Sequence, residues 1–184
     1  MKDKTILVTG SSRGIGRETA YEFAREKAKI IVTYCEDKIE AEKTYEKCLE
    51  LGATEALIVE LNVTDNSCIV NAVDEVIKKF NVVDILVNNA GVISWTPLRS
   101  QSFNEIENQT RTNLEGLIKV TKVCLPYVKD QIINIASIAG TVGFVDLTVY
   151  CATKFGVRGF TQALAKEEQT VRYILSTLIE LLQG

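Results

Sequence analysis

Residues 5–16 read TILVTGSSRGIG, and this stretch decides the fold. Ile6, Leu7 and Val8 form a short apolar run after a charged start, which is typical of a strand buried on both faces of a parallel sheet. From Arg17 onward the apolar residues recur at helical spacing. The intervening glycines therefore lie in a connection between a strand and a helix, at positions 10, 14 and 16.

A glycine turn in this position has the chemistry of a phosphate-binding loop. Without a Cβ atom the backbone can approach a pyrophosphate closely and adopt positive φ angles. The unpaired N–H groups of the first helical turn and the helix dipole favour an anion at the same place. Ser11, Ser12 and Arg13 add hydroxyl donors and a positive charge. Taken alone, the stretch also fits a tight turn that binds no ligand.

The composition excludes several classes of protein. Of the 184 residues, 46% are hydrophobic and 24% are charged, which predicts a single globular domain over residues 1–184. No run approaches the ~20 apolar residues of a membrane-spanning helix, and the N-terminus lacks a signal-peptide pattern, so we expect a cytoplasmic protein. The net charge of −3 argues against nucleic-acid binding.

Cysteine and histidine usage narrows the chemistry further. The five cysteines are scattered and form no C-x-x-C pair, as expected for reduced cytosolic thiols. The chain contains no histidine. Acid–base chemistry must therefore use tyrosine, lysine, cysteine or carboxylates, and a histidine-ligated metal site is excluded. We predict no metal site.

Strand and helix patterns alternate along the chain. Besides the first strand, the predicted strands are Lys29–Tyr34, Ala56–Leu61, Val83–Val87 and Gln131–Ala136. The predicted helices start near Arg17, cover Asp37–Leu51, follow a cap at Thr64-Asp65, cover Asn104–Val128 and start near Thr148. This order predicts an α/β fold, a Rossmann-type doubly wound parallel sheet with helices on both faces. Its ligands bind beyond the carboxyl ends of the strands.

Four separated motifs give the chain a specific resemblance. The glycine turn, Asn88-Asn89-Ala90-Gly91, Ser137 and the Tyr150–Lys154 pair have the order and spacing of the short-chain dehydrogenase/reductase family. The chain is most similar to the 3-oxoacyl-[acyl-carrier-protein] reductases of fatty acid biosynthesis, from Lys4 to about Lys166. The resemblance implies the catalytic residues Asn113, Ser137, Tyr150 and Lys154. It also implies cofactor contacts at Gly10, Ser12, Arg13, Gly14, Ile15, Gly16, Tyr34, Asn62, Val63, Asn88, Ala90, Gly91, Tyr150 and Lys154.

The chemistry of these residue types agrees with the roles that the resemblance implies. Tyr150 and Lys154 are four residues apart, so they share one face of a helix. An adjacent cation favours the phenolate and brings proton exchange closer to neutral pH than in free tyrosine, whose pKa is about 10. Ser137 would bond a substrate carbonyl, and Tyr150 would protonate it while a nicotinamide delivers hydride. Asn113 would keep a proton path through water to Lys154.

Each of these residues also has a structural interpretation. A tyrosine four residues before a lysine is commonly a solvated pair, and a serine after a strand is commonly a cap. Asn113 could bond a nearby backbone carbonyl, and Asn88-Asn89 could form a turn. Cys151 is expected to be a small packing residue rather than a nucleophile, because it points about 100° around the helix from Tyr150.

The cofactor preference depends on competing charges. An NAD site commonly has an acidic residue at the end of the second strand, where the motif alignment places Tyr34. Arg13 matches the basic residue of NADP-preferring members and could pair with a 2′-phosphate. Glu36 argues for NAD. We expect NADP(H), with NAD(H) as the alternative.

The chain departs from the family pattern in two places. Only Lys129–Gln131 connect a predicted helix to a predicted strand. After Lys166 the relatives continue into a sixth strand, a proline-glycine turn, a substrate-covering loop, another helix and a seventh strand. Here residues 166–169 pass directly to Thr170 and Tyr173–Ser176, so the C-terminal part is expected to be incomplete. The last residues, Thr177–Gly184, fit a seventh strand or a helix tail. Two segments remain as candidates to line the substrate pocket: Ser94-Trp95-Thr96 and Gly143-Phe144-Val145.

The leading functional hypothesis is an NADP-dependent carbonyl reductase or alcohol dehydrogenase. Its partner would be a small-molecule or acyl-carrier-bound carbonyl substrate, first a 3-oxoacyl thioester, with sugars, polyols and steroids as alternatives. A catalytically silent NAD(P)H-binding regulator is the alternative from another class. The helices near Asn104–Val128 and Thr148–Lys166 carry apolar residues on more than one face, and the resemblance implies that they form a homodimer or homotetramer.

Overall fold

A six-stranded parallel sheet organises the computed structural model, which describes residues 1–169 and 171–176. The strand order is β3-β2-β1-β4-β5-β6, with the crossover of a doubly wound sheet between β1 and β4. The strands are β1 (Thr5–Val8), β2 (Lys29–Tyr34), β3 (Glu55–Glu60), β4 (Val83–Asn88), β5 (Val128–Ile135) and β6 (Arg172–Ser176). The Rossmann-type sheet predicted from the sequence is thus confirmed.

Helices connect successive strands. They are α1 (Gly14–Arg25), α2 (Lys38–Glu50), α3 (Asn66–Phe80), α4 (Phe103–Thr110), α5 (Leu117–Cys124) and α6 (Thr148–Glu167). A π-helical segment, Arg111–Gly116, joins α4 to α5. Asp37, Asp65 and Ser102 cap α2, α3 and α4 through their side chains.

The core forms on both faces of the sheet because successive strand residues point in opposite directions. Leu7 belongs to the cluster that β2, β4 and β5 build with α3 and α5. Its neighbours Ile6 and Val8 belong to the cluster that α1 and α2 cover. Strands buried on both faces require the continuous apolar runs that the sequence shows.

The end of the predicted helix Asn104–Val128 is wrong. A short 3₁₀ turn, Leu125–Tyr127, closes the helical region, and Val128 already begins β5. Residues 129–131 are therefore strand residues, and the expected connector does not exist. Val128 fits both patterns because it is apolar, but it pairs with Val83 and is buried in the core. Pairing with a residue distant in sequence decides that Val128 is a strand residue, and local periodicity carries no information about such pairing.

No element is predicted for Tyr173–Ser176, whereas the structure has a sixth strand at Arg172–Ser176. Residues 172–176 pair with Gln131–Ile135 in parallel, and Val171 and Tyr173 pack against the core. The predicted seventh strand or helix tail at Thr177–Gly184 lies outside the described residues. Within the described ranges, none of the helices combines the length and hydropathy needed to cross a membrane.

Candidate active site

A cleft of about 650 Å³ opens at the carboxyl ends of the strands. The loops that follow β1, β2, β3, β4 and β5 line it together with the first turns of α6. This volume lies in the range of roughly 300–1,000 Å³ that is typical of small-molecule sites. Several cofactor and catalytic residues expected from the sequence line this cleft: Gly10, Ser12, Arg13, Gly14, Ile15, Asn62, Val63, Ala90, Gly91, Ser137, Tyr150 and Lys154.

The glycine turn has the backbone geometry of an anion cradle. Gly10 and Gly14 have φ angles of +63° and +56°, a region that residues with a Cβ rarely adopt. Helix α1 begins at Gly14, three residues before the expected start, and Arg13 at its N-cap makes no side-chain capping bond within the described residues. The first N–H groups of α1 therefore point toward the cleft without a side-chain cap.

Gly16 has a packing role. A Cβ here would overlap the carbonyl oxygen of Gly10 and lie 2.5 Å from Asn89 Nδ2. The residue does not line the cleft; it lets α1 press against the turn and against the loop after β4. Its effect on a bound ligand is therefore indirect.

The polar residues of the turn divide between the interior and the cleft. Ser11 is fully buried, and its Oγ donates to the Val8 carbonyl and accepts the Thr33 N–H. The expectation that Ser11 offers a donor to a ligand is therefore wrong, because β1 and β2 use its hydroxyl. Ser12 and Arg13 line the cleft, and the Arg17 guanidinium holds the Ser12 carbonyl.

The residues after β2 place both signs of charge at one end of the cleft. Tyr34 packs against the core beneath α1 and α2 and does not line the cleft. The next three residues, Cys35, Glu36 and Asp37, line it instead, together with Arg13. Asp37 also caps α2 by accepting the Glu40 N–H.

The loop after β4 is fixed by Thr9, a residue that the sequence interpretation missed. The Thr9 hydroxyl accepts the N–H groups of Asn89 and Ala90, each at 2.9 Å. Asn89 Nδ2 donates to the carbonyls of Thr9 and Gly10. These bonds join the glycine turn to Ala90 and Gly91. The position of Thr9 directly between the first strand and Gly10 was the available signal.

Asn88 points away from the cleft. It is buried, and its Nδ2 donates to Thr121 Oγ1 and to Asn134 Oδ1, each at 2.8 Å. Asn134 in turn donates to Thr161 on α6. Asn88 therefore ties the sheet to α5, and Asn134 ties it to α6.

Ser137, Tyr150 and Lys154 meet at the other end of the cleft. Ser137 Oγ accepts the Ala139 N–H at 3.1 Å, which makes it the predicted cap of the turn Ile138–Gly140. Lys154 Nζ lies 5.6 Å from the centre of the Tyr150 ring and donates to the Ile135 carbonyl at 2.8 Å. All three residues are more than nine-tenths buried yet line the cleft, so two hydroxyls and a cation lie together on its wall.

Gly140 sets the distance between the Ser137 turn and α6. A Cβ on Gly140 would lie 2.8 Å from the Lys154 carbonyl oxygen. Only a glycine allows the turn to approach the α6 backbone so closely. Sequence reasoning missed this residue, because nothing local distinguishes it from an ordinary turn glycine.

Asn113 lies in the π-helical segment and is buried. Its Oδ1 accepts the Val92 N–H at 2.7 Å, and its Nδ2 donates to the Val92 carbonyl at 2.8 Å and to Thr153 Oγ1 at 3.3 Å. Thr153 donates to the Tyr150 carbonyl at 2.7 Å. Asn113 thus makes the backbone bond that its structural interpretation predicted, and it links the loop after β4 to α6.

Cys151 is a packing residue, as expected. It is buried with Leu147 and Ala139, and its Sγ accepts the Phe144 N–H at 3.4 Å. It does not line the main cleft.

Comparisons with known proteins agree with this geometry. A family model described as short chain dehydrogenase matches residues 4–177. The chain is 36% identical over 172 residues to 17-beta-hydroxysteroid dehydrogenase 13 of Mus musculus, in an alignment that covers 91% of this chain and 56% of that protein. It is 37% identical over 169 residues to the 3-oxoacyl-[acyl-carrier-protein] reductase FabG of Staphylococcus epidermidis, covering 90% of this chain and 69% of that protein.

A solved structure shares the architecture. A protein from Burkholderia xenovorans, assigned to the short-chain dehydrogenases/reductases, superposes with a TM-score of 0.90 at 26% sequence identity. The superposition covers 96% of this chain and 77% of that one. The chain thus spans between about half and four-fifths of the length of these relatives.

Proposed function

Because this chain belongs to the short-chain dehydrogenase family, we propose that it is an oxidoreductase that interconverts a carbonyl and an alcohol with NADP(H). One observation carries this proposal: Ser137, Tyr150 and Lys154 lie at one end of the same cleft whose other end is the glycine turn. A dinucleotide laid along the cleft connects an anion cradle to a proton donor, which is the arrangement that hydride transfer to a carbonyl requires.

The cleft residues fit a dinucleotide. The positive φ angles of Gly10 and Gly14 and the N–H groups at the start of α1 would hold the pyrophosphate. Beyond the turn, Asn62 and Val63 would flank the adenine, and Ala90 and Gly91 the ribose on the nicotinamide side. The reduced nicotinamide supplies the hydride.

The protein's own residues would supply the proton that the substrate carbonyl oxygen receives. Ser137 Oγ accepts the Ala139 N–H, so its hydroxyl can donate to the substrate carbonyl oxygen. Tyr150 would transfer its phenolic proton to the same oxygen. The Lys154 ammonium, held by the Ile135 carbonyl, would favour the phenolate that remains and would contact the cofactor ribose.

We include Asn113 in the proposed catalytic group because of the residues that its side chain holds in place. Its amide holds Val92, which lines the cleft, and Thr153, which neighbours Lys154. We include in the proposal a proton path through water that passes Asn113 and reaches Lys154.

NADP(H) is the proposed cofactor because Arg13 lines the cleft and can pair with a 2′-phosphate. Glu36 and Asp37 line the same end and would suit the 2′-hydroxyl of NAD(H). NAD(H) is therefore the competing cofactor.

The proposed substrate is a 3-oxoacyl thioester, free or bound to an acyl carrier. Similarity to a protein named 3-oxoacyl-[acyl-carrier-protein] reductase supports it. Similarity to a protein named as a hydroxysteroid dehydrogenase keeps steroids as an alternative, beside sugars and polyols. We further propose a cytoplasmic homodimer or homotetramer, because the unpaired cysteines suit a reducing compartment and α4 and α6 carry exposed apolar residues.

Tyr150→Phe tests the proposal. The variant keeps the ring and removes the hydroxyl, so we expect normal folding and NADPH affinity while the turnover number for carbonyl reduction falls about a hundredfold to ten-thousandfold. The rate of NADPH oxidation gives the turnover number, and a titration followed by cofactor fluorescence gives the NADPH affinity. Near-normal turnover in Tyr150→Phe would remove this residue from the mechanism. NADPH binding by the unsubstituted protein without reduction of any carbonyl would instead favour an NAD(P)H-binding regulator.

A further inference from the structure

The loop after β3 lines the cleft with residues 61–64, and several of its hydrogen-bond acceptors are already engaged. The Asn62 carbonyl accepts the Asp65 N–H at 3.1 Å. The Thr64 carbonyl accepts the Arg111 guanidinium at 3.0 Å. A ligand at this end of the cleft therefore cannot donate to these two carbonyls without displacing a partner that the protein supplies.

Hydrogen bonds fix which way the Asn62 side-chain amide faces. Its Oδ1 accepts the Thr64 N–H at 3.0 Å and the Thr64 hydroxyl at 2.8 Å. Because a backbone N–H can only donate, the amide oxygen must face Thr64 and the amide nitrogen must face away from it. Nδ2 is not among the buried atoms, and it makes no hydrogen bond with the part of the chain that the structure describes. Asn62 thus offers the cleft a donor and not an acceptor.

Neighbouring groups reinforce this polarity. The Val63 N–H also makes no hydrogen bond with the described residues, and Val63 lines the cleft beside Asn62. Asn108 on α4 lines the cleft too, and its Oδ1 accepts the Thr112 hydroxyl at 3.3 Å. The available groups at this end are therefore N–H donors, which require acceptor atoms on the ligand.

The base of the cofactor carries groups of both kinds. The proposed function lays the adenine against Asn62 and Val63. The ring nitrogens of adenine are acceptors, whereas its exocyclic amino group is a donor. The Asn62 Nδ2 group can pair with a ring nitrogen but cannot pair with the amino group. A carboxylate at position 62 would differ, because its second oxygen could accept from that amino group.

We propose that Asn62 recognises the cofactor base by donating to a ring nitrogen, so that the protein binds purine dinucleotides equally well with and without the 6-amino group. The inference rests on the proposed function, which supplies the place of the base. It makes Asn62 a residue that determines base specificity through the bonds that Thr64 forms with its amide oxygen.

A cofactor analogue tests the inference in the unsubstituted protein. The analogue is NADPH in which a hydrogen atom replaces the 6-amino group of adenine, so every ring nitrogen is kept. Fluorescence of the dihydronicotinamide gives the dissociation constant of each compound by titration. We expect the two constants to agree within about twofold, because the amino group makes no bond that the analogue loses.

Asn62→Asp should create the missing discrimination. The carboxylate has the shape of the amide, retains an acceptor for the Thr64 N–H and adds an oxygen that can accept from the amino group. In this variant NADPH should bind about tenfold to a hundredfold more tightly than the analogue, because only NADPH forms a bond to the charged group. Asn66→Asp is the matched control. It makes the same change at an exposed residue of α3 outside the cleft, and it should leave the ratio unchanged.

The outcomes separate this inference from the proposed function. An affinity loss of about tenfold in the unsubstituted protein when the amino group is removed overturns the inference, since a bond of ordinary strength is then made to that group. Equal affinities in Asn62→Asp overturn the role of Asn62. In both cases, carbonyl reduction by NADPH that depends on Tyr150 leaves the oxidoreductase proposal standing.

Equal binding of NADPH and the analogue, together with discrimination in Asn62→Asp but no reduction of any carbonyl, supports the inference and counts against the oxidoreductase proposal. Absence of binding by both compounds overturns both proposals. Circular dichroism shows whether Asn62→Asp is folded, and the comparison in the unsubstituted protein does not depend on that variant.

Discussion

At the scale of single residues, Arg13 and Glu36 place opposite charges at one end of the cleft. Both line it, and they would favour different cofactors because a guanidinium pairs with a 2′-phosphate and a carboxylate with a 2′-hydroxyl. Tyr34, which the alignment of motifs places at the deciding position, packs into the core instead. The proposed cofactor preference therefore depends on exposed charges whose effects on the two cofactors can be compared by substitution.

Arg13→Ala should reduce kcat/KM for NADPH about tenfold to a hundredfold and leave the value for NADH nearly unchanged, because only NADPH loses a charge-assisted bond. Glu36→Gln is the matched variant and should lower kcat/KM for NADH more than kcat/KM for NADPH. Initial rates measured with each cofactor give the ratio of the two kcat/KM values. An equal loss for the two cofactors in Arg13→Ala would exclude Arg13 from 2′-phosphate recognition.

The surroundings of the cysteines differ, and this predicts different reactivities of their thiols. Burial raises the pKa of the Cys48 and Cys124 thiols to about 12. Burial and the Glu36 carboxylate raise the pKa of Cys35 as well, although this residue is exposed and lines the cleft. A raised pKa keeps the thiol protonated at neutral pH, and only the thiolate is nucleophilic.

We therefore expect iodoacetamide to modify Cys35 slowly near neutral pH, with a rate that rises with pH, and to leave Cys48 and Cys124 unmodified in the folded protein. NADPH should protect Cys35, because in the proposed binding mode the cofactor would occupy the cleft that Cys35 lines. Peptide mass spectrometry follows each site, and denaturation in urea should make all of them reactive. Modification of folded Cys124 at the rate of Cys35 would contradict the burial on which this prediction rests.

At the scale of elements, the site depends on how closely two turns approach their helices. Gly16 lets α1 contact the glycine turn, and Gly140 lets the turn after β5 contact the α6 backbone at Lys154. These contacts involve backbone atoms, which cannot move aside as a flexible side chain can. The glycine turn and the Ser137 turn are therefore positioned by packing.

Gly16→Val should lower the stability of the fold by about 1–3 kcal/mol and weaken NADPH binding more than tenfold, because its Cβ would force the Gly10 carbonyl and Asn89 apart. Circular dichroism and cofactor titration give the two values. Gly159→Ala is the control, since a Cβ at this α6 position meets no atom within 4 Å. A folded Gly16→Val protein with unchanged dinucleotide affinity would refute this role.

At the scale of the whole molecule, the described surface includes large apolar side chains on α4, α5 and α6. Phe103 is 89% exposed, and Phe155 and Ile118 are exposed to a smaller degree. Helices α4 and α6 contact each other, so Phe103 and Phe155 lie on neighbouring elements. A surface of this kind suits association between identical chains.

Sedimentation at micromolar concentration should show a dimer or tetramer, and Phe155→Lys should shift it toward the monomer because a charge would be buried unpaired. Ile39→Lys, at an exposed apolar site on α2, is the control and should leave the sedimentation coefficient unchanged. A monomeric unsubstituted protein at this concentration would contradict the oligomer.

Local patterns alone predicted the class of the fold, and the resemblance to the family supplied the candidate residues of the site. A short apolar strand, three glycines and an amphipathic helix can form only a narrow set of structures, so the first strand-turn-helix unit was predictable. Tyr150 and Lys154 share a face because of helix geometry, which needs no information beyond their spacing. The alternation of strands and helices was likewise enough to predict the sheet and the edge at which the cleft lies.

Only the tertiary structure decided which member of each polar group faces the cleft. Ser11 and Asn88 bond inside the sheet while Ser12, Ala90 and Gly91 line the cleft, because hydrogen-bond partners distant in sequence compete for each side chain. The same reason explains β5 and β6. Val128 and residues 172–176 become strands because neighbouring strands pair with them. Such long-range pairing leaves no mark in local periodicity, which records the burial of one segment and not its partners.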